Sequence, residues 1–197
     1  MSLLRVFIAI EIPAPVCDAI QKQTARLRQL LGNDLIRWVP AQNMHLTLRF
    51  IGDTTTSHLD FLKQLLLREA ESHPQFSLQL GGLGSFPNSR KPSLIWIGIH
   101  APSDLTSLQR NIEARAVRLG YAQEERAFLP HLSIGRVRQN VSPPELQKIR
   151  TLLDTIQLGN IGTARVDSIH LFKSDLTPSG AIYTKLFSAP LSTQPMR

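Results

Sequence analysis

The chain has a single cysteine, Cys17, among its 197 residues. No disulfide can form within it, so a reducing cytoplasm is the expected location. No apolar run approaches the roughly 18 residues that would span a bilayer, and no membrane partner is expected. The first apolar stretch is short, carries one positive charge and stops at Glu11, which suits a first strand better than a signal peptide. Acidic residues are also few, 15 against 22 Lys and Arg, for a net charge of +7. There is no paired-carboxylate cluster, no His-Glu-x-x-His and no cysteine set, which disfavours metal-dependent hydrolysis. A Gly-x-Ser-x-Gly elbow is absent, as is a Gly-x-x-x-x-Gly-Lys loop. Neither a serine hydrolase nor an ATP-using enzyme is therefore indicated, and no metal or cofactor is expected.

The chain is long enough for one domain, or one domain of two similar lobes spanning residues 1–197, and a monomer is expected. Its basic surface favours polyanions, of which nucleic acid is the commonest. Apolar alternation predicts strands over 4–12, 36–39, 44–51, 76–83, 94–100 and 131–137. Gly52-Asp53 is expected to close the strand of 44–51. Helical spacing predicts helices over 16–31 (with Gly32 after the end), 57–72, 103–119 (Ser103 as cap, Gly120 as stop) and from Pro143 to near Leu153. Residues 85–92 read as a polar loop. A last pair of strands, near 165–173 and 182–187, flanks the turn at 176–180. Strands and helices alternate in an α+β pattern, and the order strand, helix, His-bearing strand occurs near 4–51 and again near 94–137. That echo suggests a duplication that left two lobes.

The echo is sharpest in two tetrapeptides, His45-Leu46-Thr47-Leu48 and His131-Leu132-Ser133-Ile134. In a strand, residues i and i+2 lie on one face, about 6.7 Å apart. His45 and Thr47 therefore share a face, as do His131 and Ser133, while Leu46, Leu48 and Phe50 are expected to face the core. If the lobes pack about a pseudo-twofold axis, two imidazoles and two hydroxyls meet across one cleft. Imidazoles suit both halves of proton transfer near neutral pH, and hydroxyls can donate to phosphate oxygens. The other histidines, His58, His73, His100 and His170, lack the pattern and are assigned structural roles.

With their flanks, Asn43 to Gly52 and Phe128 to Arg136, the paired motifs resemble those of the 2H phosphoesterase superfamily. Within it the chain is similar to the bacterial and archaeal RNA 2′,3′-cyclic phosphodiesterases, historically called 2′-5′ RNA ligases. The opening Arg5-Val-Phe-Ile-Ala-Ile10, the closing Leu171-Phe-Lys-Ser174 and the Gly180 turn fit the same branch. The resemblance implies a bilobal α+β fold, with two antiparallel-rich sheets facing a central cleft and helices outside. It implies metal-independent hydrolysis of RNA 2′,3′-cyclic phosphate ends, or of nucleoside 2′,3′-cyclic phosphates, to 2′-phosphates. It further implies that His45 protonates O3′, that His131 is the base for water, and that Thr47 and Ser133 bind phosphate oxygens. Ser133 stands where threonine is common and keeps the hydroxyl. An arginine following the second motif would help to hold the phosphate, and Arg136 occupies that place.

Parity complicates the arginines. A regular strand turns Arg136 away from His131, so a bulge, a twist or the strand's end must bring it back. Arg49 has the correct parity in a regular strand and is a second candidate. Phe7 could stack a base near the cleft or belong to the core. Two other functions compete: a ligase that makes 2′-5′ bonds by the reverse chemistry, and a non-catalytic RNA or nucleotide binder of the same fold.

Overall fold

The computed structural model describes residues 3–178 and 180–194. In chain order the elements are β1 (Leu3–Glu11), α1 (Ala14–Leu35), β2 (Ile36–Trp38), β3 (His45–Thr55), α2 (Leu59–Ser72), β4 (Phe76–Phe86), β5 (Leu94–His100), α3 (Ser103–Arg118), β6 (His131–Val137), α4 (Pro143–Thr155), β7 (Asn160–Val166), β8 (Ser168–Thr177) and β9 (Gly180–Pro190). The expected turn at 176–180 joins β8 to β9, and its Ser179 lies outside the described residues.

Each helix buries one stripe. In α1 the buried positions include Val16, Ile20, Leu27 and Leu31, spaced at multiples of about 3.6 residues. Gly32 leaves the helix with φ of +63°, as its place after Leu31 suggests, and a further turn leads into β2. In α3 the stripe is Leu105, Leu108, Ile112 and Ala116. Burying one such leucine or isoleucine contributes about 1.5–3 kcal/mol. Ser103 is the first residue of α3 rather than its cap; Pro102 holds the cap position with extended backbone. Glu145 accepts hydrogen bonds from both the backbone N–H and the hydroxyl of Ser142, which fixes the start of α4.

The strands form two antiparallel sheets. One has the order β3-β1-β8-β9 and the other β2-β6-β5-β4-β7. The expected repeat is present as β1-α1-β3 and β5-α3-β6, with the two strands of each unit paired antiparallel. The helices are exchanged: α1 follows a strand of the first sheet but packs on β2 and β7 of the second, beside α4. Reciprocally, α3 follows β5 of the second sheet and packs with α2 over the first. One continuous apolar core, from Ile8 and Leu46 to Ile97 and Leu132, runs under both sheets as a result. The faces left free of helices carry the two histidine motifs, and β3 and β6 touch.

Two further sequence expectations need correction. Gly52-Asp53 does not end β3, which continues to Thr55; Gly52, at φ of +83°, sits where the β1–β3 register slips. The segment 165–173 is not one strand but the end of β7 and the start of β8, separated by Asp167. At that residue the chain passes from the second sheet back to the first.

Candidate active site

His45 and His131 are the first residues of β3 and β6. Their ring nitrogens are held alike. His45 Nδ1 lies 2.8 Å from the carbonyl oxygen of Asn43, and His131 Nδ1 lies 2.6 Å from that of Leu129. A carbonyl only accepts, so each Nδ1 must carry the hydrogen. Nε2 is then the atom left to take or give a proton. Asn43 is itself fastened: its side-chain amide donates to the Ala181 carbonyl at 3.0 Å, tying the approach to β3 to the β8–β9 hairpin.

Both strands slip register at the same point. Along β1, Glu11, Ala9 and Phe7 lie opposite His45, Thr47 and Phe50, which leaves Leu48 unmatched. Along β5, Gly98, Trp96 and Leu94 lie opposite His131, Ser133 and Arg136, which leaves Ile134 unmatched. A bulge of this kind sets two residues against one and reverses parity beyond it. Arg136 thereby returns to the face of His131 and Ser133. Thr47 and Ser133 share their histidines' faces as expected, and among the described residues no partner engages either hydroxyl.

The same bulge overturns two readings on the first sheet, and Phe7 takes the core alternative. Arg49, opposite the core residue Ile8, is buried on the far face, where its guanidinium pairs with Glu113 of α3 at 2.8 Å and contacts the Ala122 carbonyl. It is therefore not a cleft arginine. Phe50 does not enter the core; it is turned to the cleft side and is 58 % exposed. Phe7 is on the cleft side too, but it is buried beneath His45, with ring centres 4.9 Å apart, and offers no free face for a base.

The residues matched to the family model of the 2′-5′ RNA ligase superfamily run from 16 to 178 and include both motifs. The chain belongs to that superfamily. It is 31% identical over 186 residues to a Thermotoga maritima protein named RNA 2′,3′-cyclic phosphodiesterase, covering 93% of this chain and 94% of that one. A Methanothermobacter thermautotrophicus protein of the same name is 29% identical over 183 residues, covering 93% and 96%. Among solved structures, E. coli LigT complexed with 3′-AMP superposes with a TM-score of 0.77 at 27% identity, covering 97% of this chain and 99% of that one.

Around this superfamily motif pair the two imidazoles sit in unlike surroundings. His45 lies among rings, tilted over Phe7 and met edge-on by Tyr183 at 5.1 Å. Burial lowers its pKa below the usual histidine value; the Asn43 carbonyl opposes that shift, and the charge of His131 adds to it. The two strands that these histidines open, β3 and β6, are in contact. His131 is met edge-on by Phe86 at 4.9 Å, with the Trp96 ring 6.3 Å away. Trp96 fits because Gly84 opposite it lacks a side chain; a Cβ there would stand 2.2 Å from the indole. His170 lies on the same face as His45, opposite Ala9, and is buried with hydroxyls of Ser188 and Ser168 at 2.7 and 3.2 Å. Among the described residues no three His, Cys, Asp or Glu side chains converge to hold a metal. Tyr183, Phe86, Trp96 and the two carbonyls escape sequence reading, because nothing in their local pattern ties them to the histidines.

Proposed function

We propose that this chain opens the 2′,3′-cyclic phosphate at RNA ends, without a metal, and leaves a 2′-phosphate. The observation that carries the proposal is the matched pair of imidazoles, each with Nδ1 fixed by a carbonyl two residues upstream and Nε2 free. The names of the relatives at about 30% identity point to the same reaction.

In the proposed reaction, water attacks phosphorus as its proton passes to Nε2 of His131. The P–O3′ bond breaks, and Nε2–H of His45 gives its proton to O3′. Thr47 and Ser133 donate hydrogen bonds to the non-bridging oxygens, and the Arg136 fork holds the charge that builds on them. The free site keeps His45 neutral, so its proton must arrive with the substrate: the anionic phosphate raises the pKa of a neighbouring imidazole. Cys17 is buried, and burial pushes its thiol pKa up, which keeps it inert in the reducing cytoplasm we assign to the protein.

The test is turnover of a nucleoside 2′,3′-cyclic phosphate in the presence of EDTA, with the position of phosphate in the product identified. A 2′-phosphate is expected. His45→Ala or His131→Ala should reduce turnover by about 10²–10⁴-fold. Full activity in either variant would end the acid–base scheme, and binding without turnover by the unaltered protein would favour a non-catalytic binder.

A further inference from the structure

Opposite Arg136, in the neighbouring strand, stands a second arginine. The β2–β6 register sets Arg37 directly across from Arg136. Cross-strand partners hold their Cβ atoms about 4.5–5.5 Å apart on one face, and like charges placed so are destabilising. Both residues are exposed, and among the described residues neither is held in an ion pair. Lys185, opposite Phe172 on the first sheet, is by contrast neutralised by Glu11 at 2.6 Å. The strand geometry is fixed from behind, since Ile36 is fully buried and Trp38 packs against Gly135. The neighbouring β4–β5 loop adds Arg90 and Lys91, whose backbone N–H groups are both anchored on the Asn88 side chain. Asp34 is the acidic residue nearest in sequence, and it forms no ion pair with any of them.

We infer that Arg37 is a second phosphate-binding residue, which takes the phosphodiester immediately upstream of the cyclic end and so selects an RNA chain over a mononucleotide. This inference rests on the proposed function, in which Arg136 serves the cyclic phosphate. A repulsive arginine pair without a counter-ion becomes stable when two anions lie beside it. Adjacent phosphates of one strand supply two anions at neighbouring positions. A lone nucleoside cyclic phosphate supplies one, and Arg136 already takes it. Arg90 and Lys91 continue the basic surface away from the histidines, where the rest of the strand would run.

The experiment compares a uridine 2′,3′-cyclic phosphate with a five-nucleotide RNA that ends in the same group. Arg37→Gln should lower the ratio of kcat/KM for the RNA over the mononucleotide by about tenfold, chiefly through KM for the RNA. Binding of the 2′-phosphorylated pentamer, read by fluorescence anisotropy, should lose about 0.7 from its log–log salt slope, the share of one single-strand phosphate contact. An equal loss on both substrates would place Arg37 on the cyclic phosphate and overturn the inference, as would an unchanged ratio with an unchanged salt slope. Failure of the unaltered protein to open either cyclic phosphate would instead sink the proposed function, and the anisotropy arm would still decide on Arg37.

Discussion

If His45 gives its proton to O3′, that proton must be acquired when the phosphate binds, and the uptake is measurable. An unperturbed imidazole with a pKa near 6.5 holds only about a quarter of a proton at pH 7. Burial among Phe7, Phe172 and Tyr183 lowers His45 below that value, so the free ring holds less still. An acid poised to act holds about one. Binding at pH 7 should therefore take up at least about three-quarters of a proton at His45. The ligand should be a nucleoside 2′,3′-cyclic phosphonate with a methylene in place of O3′, which cannot be cleaved there and is singly ionised near neutrality. Calorimetry in buffers of different ionisation enthalpy counts the protons, and His45→Asn isolates the share of this ring. The uptake should shrink as pH falls below the free pKa of His45, where the ring is already charged. Uptake of the same size in His45→Asn, or none in the unaltered protein, would refute the assignment of His45 as acid.

Two further substitutions probe the frame. Gly84→Ala forces its new methyl against the Trp96 indole, so the floor beside His131 must shift; we expect a loss of about 1–3 kcal/mol in urea unfolding together with a lower kcat, and a kcat equal to that of the unaltered protein would mean that Trp96 does not position the site. Arg115→Ala strips the buried Glu69 carboxylate of its cation and leaves only His73 beside it, which should cost about 2–3 kcal/mol by the same measurement, less than a wholly buried pair because Arg115 is 40% exposed; a loss below about 0.5 kcal/mol would show that the carboxylate finds water or a proton instead.

The legible parts of this protein are those governed by short periodicity. The alternation His45-Leu46-Thr47-Leu48 places two polar groups on one face whatever the rest of the fold does, and β5 and β6 begin and end where composition puts them. Legibility fails where one extra residue enters a strand. The bulge at Leu48 reverses parity until the second slip, just before Gly52, restores it, so Arg49 is buried against Glu113 and Phe50 turns outward, both contrary to simple alternation. At Ile134 the need for a bulge was apparent only because Arg136 required a partner face. The long-range facts were equally hidden: the break at Asp167, where the chain changes sheets, has no turn signature, and the carbonyls of Asn43 and Leu129 are backbone atoms with no side-chain signal at all.

Duplicated motifs pose a physical problem that the surrounding residues resolve. Two equal histidines would titrate alike, yet acid–base catalysis across one phosphate needs one charged and one neutral ring at the same moment. In this fold the frames are equal: the same strand position, the same carbonyl bond, the same bulge. The floors differ. Beside Thr47 lies small Ala9 with the bulky His170 next to it, whereas beside Ser133 lies bulky Trp96 with Gly84 next to it. Large and small residues thus alternate in opposite order under the two halves, and burial among Phe7, Phe172 and Tyr183 strips water from His45. The positions beyond the bulges diverge in the same manner, Phe50 on one wall and Arg136 on the other. In the proposed reaction, symmetry brings the two imidazoles to the phosphate, and the residues that break it, Phe7 and Tyr183 on one side and Gly84, Trp96 and Arg136 on the other, would let identical side chains do opposite work.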